Sequence, residues 1–485
     1  MTVVLESRND ITLEAARRVA WRREPVRLGD GAVRRIAACR ASFLALIDND
    51  PSVTIYGVTT GYGQHARIKL TADERKAHAR RPPLPAAASF GAPLPERVTR
   101  AIVLARLANF VEGHAAVTPA LALRVAAMLD GGPLPGVPWQ GQGGAGEILS
   151  LSHLFGPLAE GFPLAEKESL ALINGSPGAA GLITDAALAA RRRLDIALPV
   201  FALAVEAIRA PLEHYAPELD ELWGDEHEAA ALQGLRRYLA ESGAEAGATS
   251  GAERRPYQAP VSFRILPRAL GQAFRAVAEA ERAATVSLRS VSDNPVYFPP
   301  DERNPWGRVY STGGYHNAMA TPALDGLAHA WAELCLLADR QATKLLDGRY
   351  SLLPDQLRTD EAETYFGCLP MALVGYYEQA RHAAQRTFTP ASESGGFGQN
   401  DVAPPTFLAW AKEREAGDLL LAALATLAVV ASQAFHVTGR EAAPALAPWL
   451  DEVRRLAPPP TAMVRPGPMI EPLARHFAAR VLDGA

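Results

Sequence analysis

Along most of this chain apolar residues return every three or four positions, the spacing that lines one face of an α-helix. The pattern predicts helices over Val98–Val111, Ala179–Ile208, Ala269–Val291, Met319–Leu346, Met371–Ala384 and Thr406–Val437. Several of these run to twice the ~11–12 residue average or more, the length of helices that pack along one another in a bundle. Period-two alternation, the mark of half-buried strands, is scarce. The expected fold is therefore mainly α, a long-helix bundle with a loop-rich N-terminal region. Three segments break the periodicity. Gly131–Gly146 is rich in Gly and Pro, Glu241–Gln258 is of low complexity, and Phe298–Tyr315 holds Pro299, Pro300, Pro305, Gly307, Gly313 and Gly314. The expected division is an N-terminal region, residues 1–200, followed by a helical bundle, residues 201–485, with a flexible loop at 241–258.

At 485 residues the chain exceeds one ordinary core. A formal net charge of -4, with charges scattered along the sequence, provides no basic field for nucleic acid, so a small-molecule partner is expected. Cys39, Cys335 and Cys368 lie far apart in none of the spacings that bind zinc; no metal site is expected, and a reduced, cytoplasmic setting is the simplest reading. The opening MTVVLESRND carries acidic residues and no apolar run of signal length. Leu419–Gly439 is free of formal charge over the length of a membrane span, but Ser432, Gln433 and His436 make its second half polar. A buried bundle helix, and no membrane, is expected.

Gly141, Gly143 and Gly146 satisfy G-x-G-x-x-G, with Glu166 about 20 residues on, as a dinucleotide fingerprint asks. Such a turn must follow a buried strand, however, and Gly131–Gln140 contains Pro133, Pro135 and Pro138. No P-loop, H-E-x-x-H or G-x-S-x-G pattern occurs.

More specific are six blocks in a fixed order. They are Tyr56–Gly63 (YGVTTGYG), Gly141–His153 (GQGGAGEILSLSH), Lys167–Ser176 (KESLALINGS), Ser262–Pro267 (SFRILP), Asp293–Pro295 (DNP) and Gly314–His316 (GYH). Together they resemble the aromatic amino-acid ammonia-lyase family: the histidine, phenylalanine and tyrosine ammonia-lyases and related aminomutases. The resemblance implies a fumarase/aspartase-like helical bundle that assembles as a homotetramer, each active site being built from three chains. In that family an Ala-Ser-Gly tripeptide cyclises and loses the serine hydroxyl as water, leaving the methylidene-imidazolone electrophile (MIO). Counting back from Leu151-Ser152-His153, the equivalent tripeptide here is Gly144-Ala145-Gly146. Alanine has no hydroxyl to eliminate. The expectation is that MIO does not form and that no added cofactor replaces it.

The resemblance also implies roles for the retained residues. Tyr56 corresponds to the tyrosine that takes a proton from the substrate's β-carbon. A phenol, ordinarily titrating near pH 10, needs help from its surroundings to act as a base at neutral pH. Gly57, Gly61 and Gly63 give its loop freedom to close, with Gly63 counted in the substrate-binding set. Arg264 lies where the family binds the substrate carboxylate, a task suited to a guanidinium fork. Asn174 matches the asparagine that holds substrate or electrophile, although an Asn-Gly turn is also a common structural device. His316 is a candidate proton donor or acceptor, and Asn400 a polar contact. Arg268, Arg254 and Arg255 would, if they face the pocket, suit a second anionic group on the ligand.

Departures cluster at the chemistry. The family's second catalytic tyrosine aligns with Val261 and its neighbouring aspartate with Ala259, while the glutamate or glutamine of Q-E-D or N-Q-D aligns with Asn400. The ring-selecting pair falls near Pro85-Ala86. The first reading is a MIO-free, tyrosine-based acid/base catalyst performing elimination, isomerisation or cyclisation on an amino-acid-like or activated carboxylate in specialised metabolism. The alternatives are a non-catalytic ligand-binding relative or partner subunit mixed with an active paralogue, and a true aromatic or histidine ammonia-lyase using another route. Retention of the Tyr56 loop favours an enzyme.

Overall fold

A computed structural model describes residues 2–242, 258–359 and 365–482. Most of the loop expected at 241–258, with Arg254 and Arg255, lies outside the described residues. The helical periodicity resolves into Glu96–Val111, Pro177–Ala207, Leu266–Arg289, Ala320–Leu346, Leu369–Ala383 and Thr406–Thr438. These bounds lie within a few residues of the expected ones.

Two compact units emerge, each discontinuous in sequence. The first comprises Met1–Leu188, Ala280–Leu324 and Thr387–Ala411; the second comprises Ala189–Glu279, Asp325–Arg386 and Lys412–Ala485. Residue 200 falls inside the Pro177–Ala207 helix, so the sequence-based division at 200 does not coincide with the boundary at Leu188/Ala189. The physical reason is that four long helices (177–207, 266–289, 320–346 and 406–438) each contribute residues to both units. A boundary inside a helix leaves no Pro, Gly or polar linker to read.

In the first unit, residues 98–111 of the Glu96–Val111 helix are all buried, including Arg100, Arg106 and Asn109. A helix enclosed on every side must satisfy such groups internally. Arg100 accordingly donates to the carbonyls of Val19 (2.8 Å) and Leu129 (3.0 Å). A cluster of Cys39, Phe43, Leu46, Ile47, Ile55, Val58, Ala116 and Tyr297 packs beneath the Tyr56 loop. Two short strand pairs escaped the periodicity. Val3–Leu5 pairs in parallel with Val26–Leu28, and Val296–Phe298 pairs antiparallel with Arg308–Tyr310, the second strand of that pair lying inside the segment read as a break. Three residues are too few to establish a period of two.

The second unit is tied by a buried ion pair. Arg193 Nη1 lies 2.7 Å from Glu413 Oε1, with both side chains at 4% exposure or less, and the Trp331 indole donates to the same oxygen at 2.8 Å. Gly417 leaves room for the guanidinium, since a Cβ there would meet Arg193 Cζ at 2.2 Å. Of the described helices, Thr406–Thr438 alone is long and apolar enough to cross a membrane, and 83% of its most apolar window is buried inside the protein. Ser432 and Gln433 are buried too, and the Gln433 amide donates to the Leu357 carbonyl.

Removing one member of a buried pair leaves the other charge poorly compensated, at a cost of about 3 kcal/mol. Glu413→Ala should therefore lower the urea midpoint by that equivalent, whereas Glu14→Ala, which breaks an exposed pair with Arg17, should change it by less than about 1 kcal/mol. Equal losses in the two variants would contradict the assignment.

Candidate functional site

The Tyr56 loop is held from below. Ile55 and Val58 are buried to 1% and 2% exposure in the core cluster, leaving Tyr56 between them half-buried. Thr59 Oγ1 accepts from Ile55 N (2.7 Å) and donates to the Val53 carbonyl (3.0 Å). Gly57 takes φ +69, and a Cβ there would come within 2.9 Å of Leu170 Cδ2. Glycine thus lets the loop rest on the Glu168–Ile173 helix, which ends at Asn174. The phenol oxygen of Tyr56 accepts the N–H of Gly63 at 3.0 Å.

The tripeptide lies just before the Ile148–Phe155 helix. Gly144 (φ +88), Gly146 (φ +76) and Glu147 (φ +57) all adopt left-handed backbone. The first two positions are inexpensive for glycine, and the third is strained for glutamate. Compensation comes from the Glu147 carboxylate, which accepts Gly178 N (2.5 Å) and Ala179 N (2.7 Å) at the start of the Pro177–Ala207 helix. Those N–H groups have no partner within the helix. Burial pushes the Glu147 carboxyl up to about 7, against the pull of those two N–H groups and the Arg106 charge. Gly146 O accepts Gly175 N at 3.2 Å, and a Cβ on Gly146 would lie 2.8 Å from Asn174 Oδ1.

Two of the motif blocks close the floor. Lys167 and Asp293 form an ion pair with both side chains at 0% exposure. Burial pulls the Lys167 ammonium below its usual range, with Asp293 opposing. Asn174 Nδ2 donates to the Asn294 carbonyl (3.1 Å), and Ser176 N to Ser292 Oγ (2.9 Å). Arg106 rises from the Glu96–Val111 helix to donate to the Asn174 carbonyl at 2.9 Å; burial lowers it to about 10, which leaves it cationic at neutral pH.

The remaining expected residues divide. Asn400 belongs to a loop pinned by Ser392 N to Asp401 O and Ser394 N to Asn400 O bonds, and its amide donates to Glu393 Oε1 at 3.3 Å. The Gly395–Gly398 turn of that loop packs against the Gly63–His65 turn. Glu393 Oε2 would lie 3.6 Å from a Cβ on Gly144. His316 is half-buried in the turn leading into the Ala320–Leu346 helix, its N–H bonded to Gly313 O. Tyr56, Gly63, Gly144, Ala145, Gly146, Asn174, His316 and Asn400 all belong to the first unit, while Arg264 belongs to the second. Arg264 is half-buried, and its Nε is buried without a hydrogen-bond partner among the described residues.

One conditional expectation is corrected, and the dinucleotide fingerprint already set aside gains nothing. Arg268 does not present a free cation to a ligand: it pairs with Glu228 at 2.6 Å and stacks 4.0 Å over the Trp223 ring, a structural cation. Glu166, the acid of the glycine fingerprint, is committed to Arg40 at 3.2 Å. Sequence reasoning also missed Glu393 and a polar trio in which the Gln142 amide donates to Ser89 Oγ (2.8 Å) and Ser89 Oγ lies 3.2 Å from His153 Nε2. Gln142 and His153 stood inside the 141–153 block, but their partner Ser89 lies 64 positions from His153 and carries no signal of its own.

A profile of the family described as aromatic amino acid lyase matches residues 11–161 and 159–455. The chain belongs to that family. Its relatives include the histidine ammonia-lyase of Geobacillus thermodenitrificans, 29% identical over 71% of this chain and 70% of that protein. Another is the MIO-dependent tyrosine 2,3-aminomutase of Streptomyces globisporus, 29% identical over 92% of this chain and 90% of that one. The crystal structure of the ergothioneine-degrading enzyme of Treponema denticola, bound to desmethyl-ergothioneine sulfonic acid, superposes with a TM-score of 0.88 over 100% of both chains at 18% identity, which shows a shared fold. The chain is a lyase-family enzyme with the family's helical architecture. The family's prosthetic group is made from the polypeptide itself, with no external cofactor. Ala145 offers a methyl where elimination needs a hydroxyl, and the neighbouring groups at Gly144 and Gly146 are acceptor oxygens of Glu393 and Asn174.

Glu147 yields a pH signature. Its folded pKa of about 7 lies above the ordinary 4.5. The protonated carboxyl therefore contributes stability that is complete at low pH and lost as pH rises through about 7. Glu147→Gln, which cannot ionise, should gain on the wild type by roughly 2–3 kcal/mol between about pH 5 and pH 8. Urea midpoints of the two proteins that run parallel across that range would reject the assignment.

Proposed function

We propose that this protein is a lyase that works without MIO, using Tyr56 as the base in a β-elimination from an amino-acid-like carboxylate whose nitrogen is already able to leave. One arrangement carries the reading. The Tyr56 phenol, with a backbone N–H on its oxygen, stands on the same support as a tripeptide whose central residue, Ala145, has no hydroxyl. The base survives, and the means of activating an ordinary amine does not.

The chemistry follows from that pairing. The Tyr56 phenolate takes the β-proton, the C–H electrons become the new C=C bond, and the Cα–N bond breaks with its electron pair on nitrogen. A cationic nitrogen leaves as a neutral amine. A quaternary nitrogen stays cationic without holding a proton, so it needs no electrophile to improve it as a leaving group. Support also comes from the shared fold with an enzyme that degrades ergothioneine, a betaine with a quaternary α-nitrogen. In this reading Arg264 anchors the carboxylate, His316 and Asn400 supply polar contacts, Gly63 positions the phenol, and the enzyme is a cytoplasmic homotetramer acting on a small molecule.

Two measurements test it. The intact mass of purified protein should equal that of the unmodified chain; a mass lighter by the waters lost in cyclisation and elimination would show that an imidazolone had formed and would defeat the reading. Amine release should then be followed from histidine, phenylalanine and tyrosine and from their Nα-trimethyl betaines. The expectation is turnover of a betaine that falls by about 100-fold or more in Tyr56→Phe, the scale of a lost general base. Tyr56-dependent deamination of the free amino acids, as in the histidine ammonia-lyase relatives, would favour a true ammonia-lyase instead.

A further inference from the structure

The groups facing the tripeptide have a polarity opposite to that of an electrophile. On one side is the Glu393 carboxylate, with Oε2 3.6 Å from the Cβ position of Gly144. Its oxygens take hydrogen bonds from Ser392 Oγ and from Asn400 Nδ2 (3.3 Å), and the Ser392 bond, first among the causes, holds the carboxyl below the usual glutamate range. Gly395 makes room for it, because a Cβ there would meet Glu393 Oε1 at 2.6 Å. On the other side is Asn174 Oδ1, 2.8 Å from the Cβ position of Gly146. Asn174 is only 6% exposed, and this oxygen has no hydrogen-bond partner among the described residues. Its amide nitrogen is already committed to the Asn294 carbonyl, which fixes the oxygen towards the tripeptide.

A buried acceptor without a donor is costly unless a ligand completes it. A carboxylate on the other side of the tripeptide excludes an incoming lone pair and attracts positive charge. We propose that the face of Gly144–Gly146 is a binding site for the cationic α-nitrogen of the substrate, with Glu393 supplying the charge and Asn174 Oδ1 the second acceptor. Both side-chain groups that face Gly144 and Gly146 present oxygens. The nitrogen therefore enters as a cation, either a primary ammonium that donates N–H bonds to both oxygens or a quaternary ammonium whose polarised methyl groups lie against them. This inference deepens the elimination reading and rests on it for the placement of the nitrogen.

The test is calorimetric titration of the intact enzyme with three probes built on each of the histidine, phenylalanine and tyrosine frameworks. These are the free amino acid, its Nα-trimethyl betaine, and the neutral analogue in which tert-butyl replaces trimethylammonium. Wild type, Glu393→Gln and Tyr56→Phe are compared, with thermal midpoints recorded to confirm equal folding. Glu393→Gln should weaken the cationic probes by about tenfold or more while leaving the tert-butyl analogue within about twofold. The tighter of the two cations in wild type identifies primary or quaternary nitrogen as the natural group. Equal weakening of charged and neutral probes, wild-type indifference to charge, or no wild-type binding of any cation would overturn the site. Charge-selective loss in Glu393→Gln with undiminished turnover in Tyr56→Phe would keep the site and remove Tyr56 as base. Dead Tyr56→Phe with unaltered cation binding in Glu393→Gln would do the reverse.

Discussion

The constraint on which the first unit depends is the burial of charged side chains around Asn174 and Glu147. Lys167 and Asp293 are wholly enclosed, Arg106 reaches the Asn174 carbonyl, and Glu147 caps the start of the 177–207 helix. Ions of this kind gain little net stability over apolar residues of equal volume, but each demands a particular partner in a particular place. Here that demand ties two pairs of chain segments: 167–176 to 292–294 through Lys167, Asn174 and Ser176, and 147 to 178–179 through the carboxylate. The strained backbone at Glu147 persists because its side chain is committed on both oxygens.

That framework separates the part of the family inheritance concerned with shape from the part concerned with chemistry. The residues that resemble the family most closely, Lys167, Asn174, Asp293, Asn294 and the glycines about Tyr56, are those that build the support. Those that differ, Ala145, Val261 and Asn400, stand on it or beyond it. Val261 is 56% exposed in the subunit and Ala259 is 4% exposed, so neither offers a phenol or a carboxylate in place of the family's pair. A scaffold can thus be kept by its buried charges while the reacting surface changes, which is why membership of a family fixes the fold more firmly than the reaction.

What was legible in the sequence follows the same line. The helix 266–289 could be read because its burial repeats with the helical period, and the motif blocks because their residues are contiguous. The boundary between the compact units was not legible, since it cuts helices rather than linkers. Neither was the Lys167–Asp293 pair, although both residues stood inside quoted blocks, because nothing in a linear pattern joins positions 126 apart. Arg268 was open to a reading as a ligand contact because a guanidinium's partner is invisible until Glu228 and Trp223 are placed beside it. Glu393 lay in a Gly- and Ser-rich stretch without periodicity, where only the fold shows which carboxylate meets Gly144.

The two proposed elements, a tyrosine base and a cation site, ask complementary things of a substrate. The Gly395–Gly398 turn, which follows Glu393, packs on the Gly63–His65 turn whose Gly63 N–H meets the Tyr56 oxygen. A cation seated at Gly144 and Gly146 neutralises the Glu393 charge. On this argument one cationic nitrogen brings both the leaving group and the charge that holds it in place. A neutral amine at the same place would bring neither, and the loss of the serine at 145 would then be a change of substrate charge as much as a loss of an electrophile.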